Sequence, residues 1–267
     1  FRLAVRLVVR PRRRLFVRME GRFHILGSSS AGNCALLETG KSRFLIDAGF
    51  SGRRTVSMLR EVGVEPDQLD GVFITHEHND HSAGVRGLSR WGNLPFFANR
   101  DTAEGLQGKL QRKVLWKVFE TGRPFVFRDL EILPVAVPHD AYDPVCFLFS
   151  WGDGDLFSPF RKLAWVNDLG HVPPAVMAVI AEADTLVIEA NYDEEMLERD
   201  TQRPFSLKQR IRSRHGHLSN RATLEALQKV ERPRWKELYF SHLSRDCNAV
   251  GLVEDTFGPF CQTCCSG

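Results

Sequence analysis

The chain has 267 residues, enough for one large domain or two small ones around a sizeable core. Hydrophobic residues make up 43% and charged residues 26%, which excludes a disordered, collagen-like or coiled-coil chain. No apolar run approaches the roughly 18–20 residues that span a bilayer, so no membrane partner is expected. The formal charge of +3 is unevenly spread. Residues 1–18 hold seven arginines (Arg2, Arg6, Arg10, Arg12, Arg13, Arg14 and Arg18) and no acid, so the rest has 29 basic and 33 acidic residues, a net −4. A nucleic-acid reading therefore cannot rest on overall charge.

Residues 1–18 read either as a basic arm for nucleic acid or a membrane surface, or as an upstream extension. The second reading is preferred, with Met19 as the true start. Arginine interrupts every apolar stretch and no A-x-A site follows, which argues against a secretory signal. Strands come next, at 23–26, 35–38 and 43–46, around a Gly/Ser-rich turn and the turn at Gly40. A helix fits 51–62, with Ser51 as N-cap and Val56, Leu59 and Val62 along one side. Apolar runs at 72–74, 132–137, 163–166, 186–188 and 238–240 read as buried strands. Helices fit 83–91, 174–181, 194–199 and 220–230.

No linker or repeat divides the chain, so one domain is expected over 19–258, followed by a tail over 259–267. Similar numbers of strands and helices imply a layered α/β architecture, and the early hairpin-like strands favour mixed sheets. Cys34, Cys146 and Cys247 are scattered, and Cys261, Cys264 and Cys265 form a C-x-x-C-C tail. A zinc knuckle would need a second ligand pair, which is not nearby. A chain of this length needs no disulfides, so a reducing, cytoplasmic setting is expected.

The decisive segment is Thr75-His76-Glu77-His78-Asn79-Asp80-His81, an H-x-H-x-D-H pattern. Four ligand-capable side chains lie within six residues, directly after a buried strand. His76 and His78 are two apart and face the same way in an extended stretch. Asp80 and His81 can turn toward a second point, which suits two metals. A two-metal centre needs more ligands. His139, Asp168 and His242 each follow a buried strand, as His76 does, so the strand ends would converge on one rim.

This set resembles the metallo-β-lactamase-fold hydrolases. The resemblance implies an α/β (α+β) fold, an αββα sandwich with two mixed β-sheets flanked by helices. It implies His76, His78 and His139 on one metal, Asp80, His81 and His242 on the other, and Asp168 between them. Asp47, in Leu45-Ile46-Asp47-Ala48-Gly49, matches the family's early structural Asp, which supports the ligand loop from behind. Leu26–Cys34, Leu45–Ser51, Pro138-His139-Asp140, Asp168-Leu169-Gly170-His171-Val172, His217-Leu218-Ser219-Asn220 and His242–Asn248 resemble the bacterial WalJ (YycJ, VicX) group over roughly 19–250. Members of that group are regarded as DNA exonuclease-type phosphodiesterases. Asn167 stands where Thr usually precedes the bridging Asp. The stretch after Val253 and the stretch before Met19 have no counterpart.

The resemblance implies a dinuclear metal-dependent phosphodiesterase or DNA exonuclease, in which a metal-bridging hydroxide attacks phosphorus. Asp80 would hold a metal and orient the nucleophile, and His217 would protonate the leaving oxygen or hold a phosphate oxygen. Ser30, Asn33, Ser219 and Asn248 are further candidates for substrate contact. Ser219 and Asn220 also read simply as helix caps, His24 as a core or surface residue, His171 as a cap of the next helix or a support for Asp168, and His215 as solvent-facing. The two ions could be Zn, Mn or Fe. Two other functions compete. A thioester (glyoxalase-like) or lactam hydrolase could use the same fold, although Asp168 argues against the lactamase form. A non-catalytic metal-binding regulator would have lost ligands first.

Overall fold

The computed structural model describes residues 4–8, 21–154 and 160–264. Met19, where the domain was expected to start, and Cys265 lie outside them. Strand β1 is Val5–Val8. Strands β2 (Arg22–Gly27), β3 (Cys34–Glu38) and β4 (Arg43–Ile46) form an antiparallel meander. Helix α1 (Gly52–Glu61) leads to β5 (Gly71–Phe73), which pairs parallel with β4. The short helices α2 (Asn79–Ser82) and α3 (Val85–Leu88) precede β6 (Phe96–Asn99), α4 (Arg100–Gln107) and β7 (Trp116–Phe119). These strands complete a mixed sheet in the order β2-β3-β4-β5-β6-β7.

The second sheet begins with β8 (Phe125–Phe127), β9 (Leu130–Ala136) and β10 (Val145–Trp151), which are antiparallel to one another. It continues through β11 (Arg161–Val166), α5 (Pro174–Glu182) and β12 (Thr185–Glu189). Helices α6 (Glu194–Arg199), α7 (Phe205–Ile211) and α8 (Asn220–Gln228) then lead to β13 (Glu237–Ser241) and α9 (Val250–Cys264). The order is β1-β13-β12-β11-β10-β9-β8, with β11, β12 and β13 parallel.

The layers follow from the period-2 alternation of strand side chains. Phe44 and Ile46 of β4 and Leu163 and Trp165 of β11 meet in an aromatic-rich core between the sheets, with Phe73, Phe97, Phe147 and Phe149. The intervening Leu45 packs under α1, α3 and α4 with Met58, Leu59, Leu88 and Leu106. Ala164 and Val166 pack under α5, α8 and α9 with Ile180, Leu227 and Phe257. Each sheet is buried on both faces, so its strands read as continuous apolar runs. The result is the expected αββα sandwich of two mixed sheets.

Several local expectations change. The helix expected at 83–91 is only the short α3 at Val85–Leu88, and a separate short helix before it, α2, lies inside the ligand motif, with His78 at its N-cap. Residues Val5–Val8, within the stretch set apart as an arm, pair antiparallel with β13, and Val5 is buried in the core. The tail expected after residue 258 is instead the last part of α9, which runs through Pro259 to Cys264. Phe257 stacks on Phe240 at 3.7 Å between centroids, and Cys261 is buried beside it. An apolar face continuing past Phe257 outweighs the hydrogen bond that Pro259 removes. Strands β6, β7, β8 and β10 and helices α4 and α7 have no counterpart in the sequence reading.

Candidate metal centre

The ligand-bearing segments all leave the same edge of the sandwich. His76 lies three residues past β5, Asp168 two past β11, and His242 directly follows β13. Asp47, Asp168 and His242 adopt left-handed backbone, with φ of 59°, 56° and 56°. Such conformations cost about 1–3 kcal/mol each and persist where surrounding structure fixes them. Backbone contacts fix the ligand loop as well. Asn33 N donates to Asp80 O at 2.7 Å and Ala48 N to His81 O at 2.8 Å. A Cβ on Gly49 would lie 1.7 Å from Asp80 O, so only glycine lets the Asp47–Gly49 turn support the loop so closely.

The seven expected ligands converge. Ligand atoms of His76, His78 and His139 lie within 4.8 Å of one another, as do those of Asp80, His81 and His242, and those of His76, His81 and Asp168. Asp168 reaches both halves: its carboxylate is 2.9 Å from His81 Nε2, 3.4 Å from His242 Nδ1 and 4.0 Å from His139 Nε2.

Four of the histidines have their far nitrogen held from behind. His76 Nδ1 meets Thr75 Oγ1 at 3.0 Å, His81 Nδ1 meets Asp47 Oδ2 at 2.8 Å, His139 Nδ1 meets Gly216 O at 3.1 Å and His242 Nδ1 meets Glu189 Oε1 at 2.7 Å. Each therefore turns Nε2 toward the centre, the arrangement that outer partners give to metal-binding histidines. Asp47 also accepts from Thr75 N, Thr75 Oγ1 and Trp165 Nε1.

The residues fit a cation. His76 Nε2 is buried and has no hydrogen-bond partner among the described residues, a costly state unless something else satisfies it. The donors are imidazole and carboxylate, which suit divalent transition metals. Burial lowers the His76 and His139 pKa values, leaving neutral rings with free lone pairs. Burial also lowers that of His242, but Asp168, Asp80 and Glu189 outweigh it and lift the value to about 10. His81 is likewise raised by Asp168, Asp47 and Asp80 against burial. Burial would raise Asp80 and Asp168, yet His81 and His242 hold both carboxyls well below their ordinary value.

The cleft has a volume of about 200 Å³, and its lining includes Ser30, Asp140, Leu207, Arg210 and His217 beside the ligands. His217 Nδ1 lies 2.7 Å from Glu189 Oε1. Burial lowers the His217 pKa, but Glu189 overcomes it and the net shift is upward. Ser30 is exposed at the rim. The other substrate candidates are not brought into the cleft. Asn33 is fully buried and its amide contacts Ser28 Oγ, Ser29 O and His81 Nε2. Ser219 caps α8 and donates to Glu194, while Asn248 bonds Asn220 and the carbonyls of Ala190 and Asn191. His215 is exposed, and His171 meets Arg214 O away from the ligands.

Glu189 is the residue that sequence reading missed. It ends β12, is fully buried, and accepts from Leu169 N and Leu218 N while holding His217 and His242. The strand-end pattern Leu186-Val187-Ile188-Glu189 carries the same signal as the other ligands, with Glu in place of His or Asp. Asn167 Oδ1 accepts from Ser241 Oγ at 2.6 Å, so the departure from Thr retains a hydrogen bond.

Fold and site together define a metallo-β-lactamase-fold protein, and residues 42–242 match the β-lactamase superfamily domain. The chain is 36% identical over 242 residues to exodeoxyribonuclease WalJ of Streptococcus pneumoniae, covering 88% of this chain and 86% of that one. It is 34% identical to exodeoxyribonuclease YycJ of Bacillus anthracis, covering 86% and 85%. The fold also matches the metallo-β-lactamase fold protein YhfI of Bacillus subtilis, with a TM-score of 0.64 at 19% identity over 92% of this chain and 93% of that one. The chain belongs to the β-lactamase superfamily and, within it, to the family of WalJ and YycJ.

Proposed function

We propose that this chain is a metal-dependent exodeoxyribonuclease. His76, His78 and His139 would hold one divalent ion, Asp80, His81 and His242 a second, and Asp168 would lie between them. Zn, Mn and Fe all suit these donors. Bound there, such ions supply Lewis acidity, which lowers the pKa of water toward about 7 and neutralises phosphoryl charge. The observation that carries the reading is the convergence of seven ligand-capable residues, in a chain whose relatives over 88% of its length are named exodeoxyribonucleases.

The chain's own groups supply the rest. His217, steadied by Glu189, stands in the cleft to give a proton to the leaving oxygen or hold a phosphate oxygen. Arg210 lines the same cleft from α7 and pairs with Asp140. Exchange of that partner for a substrate phosphate would seat the strand. A cleft of about 200 Å³ is smaller than the roughly 300–1,000 Å³ that bury a drug-sized ligand. It suits a phosphodiester with its sugar and leaves the base outside, so cleavage should be insensitive to sequence. A DNA substrate and free cysteines at Cys34, Cys146 and Cys247 fit a cytoplasmic enzyme. No helix among the described residues is long and apolar enough to cross a membrane.

The test is turnover by the metal-loaded full chain on end-labelled linear DNA, circular single-stranded DNA, RNA and a thioester. Release of mononucleotides from linear DNA, with circles left intact, is expected. Turnover of the thioester with none of any nucleic acid would move the assignment to a thioesterase.

A further inference from the structure

A groove apart from the metal centre runs between α1 and the α3 end. It has a volume of about 420 Å³, and its walls include Arg53, Val56, Ser57, Arg60, Arg90 and Trp91. Its floor is a close helix crossing, where a Cβ on Gly52 would lie 2.6 Å from Gly87 Cα. Arg60 shares Glu65 at 3.0 Å, but Arg53 and Arg90 are exposed and have no acidic partner among the described residues. Trp91 is half-buried beside them. Three guanidinium groups thus gather on a body that is net acidic beyond residue 18.

The groove is tied to the cleft by short segments. Gly52 lies five residues after Asp47, and Gly87 six after His81. A chain covers at most about 3.6 Å per residue, so the near end lies within roughly 20 Å of both. The Phe50 ring, two residues before Gly52, packs against Gly27 and Gly32, where a Cβ would approach to 2.5 and 2.6 Å. That packing supports the turn whose Ser30 lines the cleft.

We propose that this groove is a second nucleic-acid site, which grips the uncleaved stretch of the strand whose end lies in the metal centre. The inference rests on the nuclease reading. Guanidinium groups pair with phosphates, and an indole can stack with a base without reading sequence. Strand rise is about 3.4 Å per nucleotide in a duplex, so at most roughly six nucleotides lie between the near end of the groove and the centre.

The test compares the full chain with Arg53→Glu/Arg90→Glu, Trp91→Ala and, as a charge control at exposed positions, Arg112→Glu/Arg232→Glu. KM and kcat are measured on 5- and 30-nucleotide single strands over a range of salt. The groove pair should raise KM for the 30-mer about tenfold, keep kcat within twofold, and lower the salt slope by about 1–2, as loss of two phosphate contacts requires. The 5-mer should respond less than twofold, and Trp91→Ala should raise the 30-mer KM without changing the slope. Equal effects at both lengths, no effect on the 30-mer, or the same effect in the control pair would overturn the proposal. Should the reversed pair melt early, Arg53→Gln/Arg90→Gln takes its place. If the wild-type chain cleaves no DNA, the nuclease reading fails, and anisotropy with a labelled 30-mer still decides the groove. Weaker binding by the groove pair than by the control supports it, and equal binding removes it.

Discussion

Glu189 links the two histidines with the clearest separate tasks. Its Oε1 holds His242, on the metal side, and His217, on the substrate side. Glu189→Gln keeps the shape but removes the charge that favours protonated His217. His217 has its pKa raised above 6.5 by Glu189 against the lowering effect of burial. A raised group keeps its proton below that value and loses it as pH rises through the folded value. If the proton goes to the leaving oxygen, kcat/KM should fall on the alkaline side, at a pH above 6.5, and that limb should move downward in Glu189→Gln. Rate profiles across pH check this. Asp80→Asn removes a negative ligand, so turnover should fall by orders of magnitude together with metal content. His217→Ala should lose about 10²–10⁴ in rate with metal content intact. Metal analysis of both variants, alongside DNA turnover, separates the two roles. Full cleavage by Asp80→Asn at normal metal content would overturn the assignment.

Among the elements, the two ends of the described chain each bury a residue in the core. β1 covers the edge of β13 and buries Val5, and the last turns of α9 bury Cys261 near Phe257. A chain beginning at Met19 should still fold and hydrolyse a small phosphodiester, because β1 supplies no cleft residue. It should lose about 1–3 kcal/mol through the uncovered edge and the lost Val5. A chain ending at Gly258 should lose a similar amount. Urea midpoints against the full chain measure both. Insolubility of the Met19 chain would show that β1 is essential to the sheet.

For the whole molecule, the centre concentrates Asp47, Asp80, Asp168 and Glu189 between the two sheets' edges. These carboxylates raise the pKa values of His81 and His242 and so favour their protonated forms. Metal binding must displace those protons. Affinity should therefore rise with pH, with proton release measurable by calorimetry in buffers of different ionisation enthalpy. Chelation should lower the melting temperature, since ligand at 1,000 times its Kd adds about 4 kcal/mol per site. A melt unchanged by chelator would argue that the carboxylates and imidazoles satisfy one another without a cation.

The sequence by itself determined the candidate ligands. H-x-H-x-D-H after a buried run, and His139, Asp168 and His242 after others, are local patterns of strand followed by ligand, readable without knowing what packs on what. Several buried strands and helices were also legible, because two-sided burial leaves continuous apolar runs and Ser51 and Ser219 cap their helices, whereas β10 and α4 were not. Tertiary structure alone decided the rest. That Asn33, Ser219 and Asn248 face inward, while Arg210 reaches the cleft from a helix with no buried residue, depends on contacts 28 to 70 residues apart in sequence. Strand β1 could not be read from an arginine-interrupted stretch, because only the exposed edge of β13, far along the chain, gives it hydrogen bonds to make. Glu189 looked like the end of an ordinary strand until folding set His217 and His242 on the same carboxylate oxygen, and burial left that charge nowhere else to go.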